Sequence, residues 1–159
     1  MFGPNRRNAT MLAIVLFTAA VSMSAQKPSA YSDDAVLARL KSRLSIDPIE
    51  CGRHPLPARG APPDRYANAL TASVRCVTDA AAQRRPSWMY VHEQGIDSWG
   101  GTGLVSDTNG VVLQFYYDSD PSGGGGAAST LDLRKCAKPI VIRRSGSARL
   151  ECNAPTKAR

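Results

Sequence analysis

Two periodicities divide the chain. In "YSDDAVLARLKSRLS" (31–45) the apolar residues Val36, Leu37, Leu40 and Leu44 recur at helical spacing and form one stripe. Ser32 stands where an N-cap is wanted, and Asp33 and Asp34 suit the positive end of a helix dipole. The same period returns after Pro63. Tyr66, Leu70, Val74, Val77 and Ala81 share a face of a second helix, with Asp64 in the cap position and Pro86 closing it.

From Ser87 the period drops to two. "SWMYVHEQ" sets Trp88, Tyr90 and His92 against Met89, Val91 and Glu93. "GLVSDTNGVVLQFYYD" holds two such runs around Asp107-Thr108-Asn109-Gly110, a turn in which Asn and Gly tolerate positive φ. In the second run Leu113, Phe115 and Tyr117 point one way, and Val112, Gln114 and Tyr116 the other. "STLDLRKC" is a further strand, and "PIVIRRSGSARLEC" reads as a last hairpin about Ser145-Gly146.

Between the two helical stretches stand Pro48, Pro55, Pro57, Pro62 and Pro63, with Gly52 and Gly60. That density predicts irregular coil, with His54 exposed in it. The expected fold class is α+β: two N-terminal helices followed by an antiparallel sheet of about five or six strands, one face of which packs on the helices.

The beginning of the chain changes the picture from architecture to compartment. "MFGPNRRN" is a short basic leader, Met11 to Val21 is apolar, and "SMSAQ" supplies small residues. This is the order of a secretory signal peptide. The apolar run is well short of the roughly 20 residues that a spanning helix needs. The expected organisation is a signal peptide at 1–25, one domain at 26–153 and a frayed tail at 154–159, in a periplasmic or extracellular protein. Removing the leader lowers the formal charge of +7 by two, because Arg6 and Arg7 go with it.

Cys51, Cys76, Cys136 and Cys152 all lie beyond the leader. An even number in an exported chain predicts two disulfides. No C-x-x-C is present, which argues against a thioredoxin-like site or a zinc ribbon. The last hairpin sets Pro139 roughly opposite Cys152 and puts Cys136 just before its open end. That favours Cys136–Cys152, and hence Cys51–Cys76.

Candidate chemistry is sparse. Asp118, Asp120, Ser122 and Gly123 open like a calcium loop, but Ser129 stands where the bidentate Glu is required, and Pro121 interrupts the turn. The glycine run 123–126 lacks the Lys of a phosphate loop and leads into a strand. In "HEQGIDSWGGTG", His92, Glu93 and Asp97 are an acid–base set for a small secreted hydrolase, without a nucleophile turn beside them. The element order resembles that of microbial guanyl-specific ribonucleases, which place a Glu, an Arg and a late His on a sheet. Glu93 and Arg143 would fill two of those roles, and no His follows His92 to serve as general acid. The order is also similar to that of cystatin-like inhibitors, without their Q-x-V-x-G loop.

The positive charge is spread over short pairs such as Arg84-Arg85, Arg134-Lys135 and Arg143-Arg144, with no accompanying aromatic ladder, which argues against a nucleic-acid footprint. The reading is a small exported, non-enzymatic binding or inhibitory module without a cofactor. Its expected partner is a protein or an anionic envelope component, met by Trp88, Tyr90, His92, Trp99 and Tyr116, since exposed aromatics anchor interfaces. The alternatives are the hydrolase and a structural envelope protein.

Overall fold

The computed structural model describes residues 32–57, 62–94, 98–124, 128–144 and 147–153. The leader, Asp97, the Ser145-Gly146 turn and the tail lie outside the described residues.

Helix α1, Asp33–Leu44, forms where its apolar stripe sets it. The Ala35 amide donates to the Ser32 hydroxyl at 3.3 Å, so an otherwise orphaned N–H is capped. Ser45 closes the helix in the left-handed region at φ 52°. Val36 and Leu40 are fully buried. Helix α2, Pro63–Ala82, starts one residue before the expected cap. Pro63 occupies the first turn, where its missing N–H costs nothing, and no side chain caps the helix.

The segment between the helices departs from the expected coil. Ile49–His54 is a strand, β1, and it pairs parallel with β2, Ser87–Gln94, from Ile49 opposite Ser87 to His54 opposite Val91. Pro48 and Pro55 flank this strand rather than enter it, so no ladder donor is lost. A bulge falls between Glu50 and Gly52. Gly52 sits at φ +149°, and a Cβ there would stand 2.5 Å from the Ser73 hydroxyl, so only glycine lets β1 lie this close to α2. The β1–α2–β2 unit is a parallel crossover, and the sheet is mixed rather than antiparallel.

The remaining strands follow as antiparallel neighbours. They are β3 (Trp99–Ser106), β4 (Val112–Asp118) and β5 (Thr130–Lys135), which complete a five-stranded sheet in the order β1-β2-β3-β4-β5. The β3–β4 turn forms as its sequence predicts. The Asp107 carboxylate accepts from the amides of Asn109 (2.9 Å) and Val111 (2.8 Å), and Gly110 takes φ +80°. Strands β6 (Lys138–Arg144) and β7 (Ser147–Asn153) pair only with each other, as a separate two-stranded sheet.

Both faces of the large sheet are covered, where one was expected. On one face Trp88, Tyr90, Val105, Phe115 and Tyr117 form a core with Val36, Leu40 and Ile46. On the other Met89, Val91 and Leu104 pack with Leu70 and Val77 of α2, and with Cys136 and Leu150 at the hairpin. The cause is legible in β2, whose two parities are both apolar through Trp88–Val91.

Both expected disulfides are present. Cys51–Cys76 ties β1 to α2, and Cys136–Cys152 closes the open end of the hairpin, with Pro139 opposite Cys152.

Candidate functional site

His92 and Glu93 are consecutive on β2, so their side chains leave the sheet on opposite faces. That single fact divides the candidate residues.

On the α1 face the His92 Nε2 lies 2.9 Å from the Asp33 carboxylate. The His92 ring meets Trp99 edge-on at 4.4 Å and Tyr90 at 4.9 Å. Trp88 and Tyr90 are wholly buried. The Arg53 guanidinium lies 5.2 Å over the Trp88 ring and pairs with Asp34 at 3.1 Å and Glu50 at 3.0 Å. Burial, and then the nearby Asp33 charge, push the Tyr90 phenol well above its ordinary range. The structure therefore brings together Trp88, Tyr90, His92 and Trp99, as a packed cluster under the first turn of α1.

Tyr116 stands alone on the α2 face and is 45% exposed. The strand register sets Thr102, Tyr116 and Asp132 side by side, and Leu104, Gln114 and Arg134 in the next row. All of these but the buried Leu104 form the floor of a cleft of about 500 Å³, with Arg149, Leu150 and Glu151 of β7 as one wall and Glu93 among its other lining groups. A hydrogen-bonded chain runs across the floor. Arg134 Nε donates to Gln114 Oε1 at 2.8 Å, Gln114 Nε2 donates to Thr102 Oγ1 at 3.3 Å, and Thr102 Oγ1 donates to the Phe115 carbonyl at 3.0 Å. Gln114 and Thr102 are buried. The chain fixes the amide orientation, because only Oε1 can accept from a guanidinium. Arg134 commits one of its five N–H groups to this chain; its terminal nitrogens have no partner among the described residues.

The electrostatics of the cleft are mixed. Burial pushes the Glu93 carboxyl up. Burial first, then the charges of Asp118 and Glu93, push the Tyr116 phenol up. Arg149 pairs with Glu151 on the wall.

The other singled-out residues have structural settings. His54 is buried rather than exposed, and its Nε2 lies 2.8 Å from the Ser73 hydroxyl. Ser73 donates its one proton to the Cys51 carbonyl at 2.8 Å, so His54 Nε2 is the donor to Ser73. Burial lowers the His54 pKa. The Asp118–Asp120 turn is closed within itself, the Asp118 carboxylate accepting from the Asp120 amide at 3.0 Å. Ser119 bonds Trp99 in both directions, at 2.8 and 2.9 Å. Both oxygens of Ser129 accept from Arg39. Among the described residues no group of three or more His, Cys, Asp or Glu is placed to hold a metal ion. Arg143 donates to Asn68 at 2.7 Å and so joins β6 to α2 outside the cleft.

Thr102, Gln114, Arg134 and Arg149 are the residues that strand periodicity alone did not single out. Their signal was present in part: one parity of β4 and β5 is apolar, while the other carries Gln114, Tyr116, Asp132 and Arg134. No protein-family model, curated protein or solved structure matches this chain. Two disulfides are consistent with a periplasmic or extracellular location, and among the described residues no helix is long and apolar enough to cross a membrane.

Proposed function

We propose that the chain is a small exported, non-enzymatic binding or inhibitory module whose ligand site is the cleft over β3, β4 and β5. The observation that carries this reading is the Arg134–Gln114–Thr102 hydrogen-bond chain under an open cleft. A buried amide and hydroxyl are costly unless every group is satisfied. Here they are satisfied, and they hold Arg134 in one pose with donors to spare, which is the preorganised polar group that a small-ligand site needs. The cleft also falls within the ~300–1,000 Å³ usual for such sites.

The test is a screen of sugars, amino acids, nucleotides and short peptides against the oxidised protein by amide chemical-shift mapping. A ligand should perturb Thr102, Gln114, Tyr116 and Arg134 together, and Arg134→Ala should weaken it by about tenfold or more, the effect of one good charge-assisted contact. Perturbations confined to His92, Trp99 and α1, or binding indifferent to Arg134→Ala, would move the site elsewhere.

Hydrolysis in the same cleft is the second reading, and Glu93 favours it. A carboxyl pushed up by burial at the edge of a cleft is the kind of group that serves as a general acid. His92 cannot share that step, since it faces α1. Turnover of a bound ligand that Glu93→Gln abolishes without weakening binding would establish it.

A further inference from the structure

We infer that the ligand of this cleft is a neutral oligosaccharide that stacks on Tyr116 and is hydrogen-bonded by Arg134 and Asp132; this rests on the binding reading above. Three observations converge on that class.

The first is the aromatic itself. Trp88, Tyr90, Phe115 and Tyr117 are buried, while Tyr116 keeps 45% of its surface exposed inside a cleft that also holds Glu93, Asp132 and Arg134. Its hydroxyl reaches across β3, 3.8 Å from where Gly100 would carry a Cβ. The ring is thus an apolar plane set among hydrogen-bonding groups. The C–H face of a pyranose ring matches such a plane, and its hydroxyls meet the groups around it.

The second is the charge. The cleft holds Glu93, Asp132 and Glu151 against Arg134 and Arg149, and Arg149 and Glu151 are already paired with each other. A polyanion would face Glu93 and Asp132, and a polycation would face Arg134. Three carboxylates against two guanidinium groups leave a formal balance of one negative charge, which opposes a polyanion and is too little to select a polycation. What the site offers is donors beside acceptors: Arg134 donates only and Asp132 accepts only, in adjacent rows of the sheet. A vicinal pair of hydroxyls, each both donor and acceptor, satisfies the two together.

The third is rigidity. Gln114 is fixed from both sides, so Arg134 is positioned before any ligand arrives. Neutral, heavily hydrated ligands need that preorganisation, because each of their hydrogen bonds replaces one to water.

The experiment is titration calorimetry of the oxidised protein with four neutral hexasaccharides: β-1,4-linked glucose, α-1,4-linked glucose, β-1,4-linked xylose and β-1,4-linked N-acetylglucosamine. Polygalacturonate and an oligolysine are the charged comparators. At least one hexasaccharide should bind, and Tyr116→Ala should weaken it about tenfold, as loss of an aromatic anchor does. Tyr116→Phe should stay within about twofold, because the plane is kept. Raising salt from about 50 mM to 0.3 M should change the affinity by less than about twofold, since no net charge is matched. Thermal melts of both variants should match the parent, because the side chain is exposed.

Equal binding by Tyr116→Ala, or binding of polygalacturonate alone with steep salt dependence, would overturn the saccharide assignment. So would a different small ligand that depends on Arg134 while no hexasaccharide binds; that result leaves the binding module standing. Absence of any ligand across both screens would overturn both readings.

Discussion

On the α1 face of the sheet, β2 to β5 present Trp88, Tyr90, Val105, Phe115, Tyr117, Leu131 and Leu133. On the α2 face the same strands begin with Met89, Val91 and Leu104, and then change to Thr102, Gln114, Tyr116, Asp132 and Arg134. The backbone, register and twist are common to both. What differs is the cover. Below α1 the apolar set extends across four strands. On the other side α2 and the β6–β7 hairpin stand over different parts of the sheet, and the polar residues line the cleft beside the hairpin. A sheet face whose apolar residues run unbroken across four strands is a core. One that changes character partway, with its polar groups bonded into a chain, has room for a ligand.

The sharpest way to break this comparison is to truncate one large residue on each face. Trp88→Ala should cost about 3–5 kcal/mol, as buried aromatic truncations do. Tyr116→Ala should stay within about 0.5 kcal/mol, as surface changes away from packing do. Denaturant midpoints at constant m-value measure both. Equal costs would mean that the cleft face is a core and that Tyr116 is structural.

Next in size is the link between β1 and α2. Replacing Cys51 and Cys76 together by Ser removes a cross-link over 25 residues, and should cost about 3 kcal/mol in the chain-entropy account. The cleft lies away from that bridge, so ligand affinity measured below the new unfolding midpoint should be unchanged. A loss of affinity equal to the loss of stability would show that α2 and the cleft move as one unit.

A third test uses pH. The folded chain disfavours the charged form of the buried His54, so its folded pKa lies below the ordinary value near ~6.5. Between those two values the unfolded chain binds more protons. Stability from this site is therefore full above about pH 6.5 and falls as pH drops through the window. Glu93 has the opposite sign. Its raised pKa favours the protonated folded state, a contribution present at low pH and lost as pH rises beyond its ordinary value near ~4.3. His54→Gln keeps a donor for Ser73 and should flatten the loss of stability on acidification below about pH 6.5. An unchanged slope would show that His54 is open to solvent in both states.

The helices, the β3–β4 turn and both disulfides were legible in the sequence because each is a local pattern. Ser32 with Asp33 and Asp34, Asp107 with Gly110, and Cys136 just before a hairpin are such patterns. β1 was not legible. Its prolines advertise coil, and its strand character comes from pairing with β2, which is remote in sequence. His54 was misplaced with it, since its burial depends on Ser73 of α2. The cleft was half legible. The parity of Gln114 and Tyr116 was plain, but the wall carrying Arg149 belongs to a separate sheet, whose position is set by tertiary packing that no local pattern records. The aromatic set divided for the same reason. Trp88, Tyr90 and Tyr116 look alike as residues, and only the covering helix distinguishes core from cleft.

The smallest expected effect probes the unsatisfied polar groups of the α1 face. The Tyr90 hydroxyl and the Trp88 and Trp99 indole N–H groups are buried, with no hydrogen-bond partner among the described residues. An unsatisfied buried donor costs about 1–3 kcal/mol, while its removal with the shape kept is close to neutral or favourable. Tyr90→Phe keeps the ring on Phe115, with which it stacks at 6.0 Å, and keeps the contact with His92. It should therefore leave stability unchanged or raise it by up to about 1 kcal/mol. It should also leave cleft affinity untouched, because the side chain lies on the other face. A loss greater than about 1 kcal/mol would mean that the hydroxyl is satisfied in solution by an ordered water or by Asp33. The α1 face would then contain a polar network of its own, and the contrast with the cleft face would be one of degree.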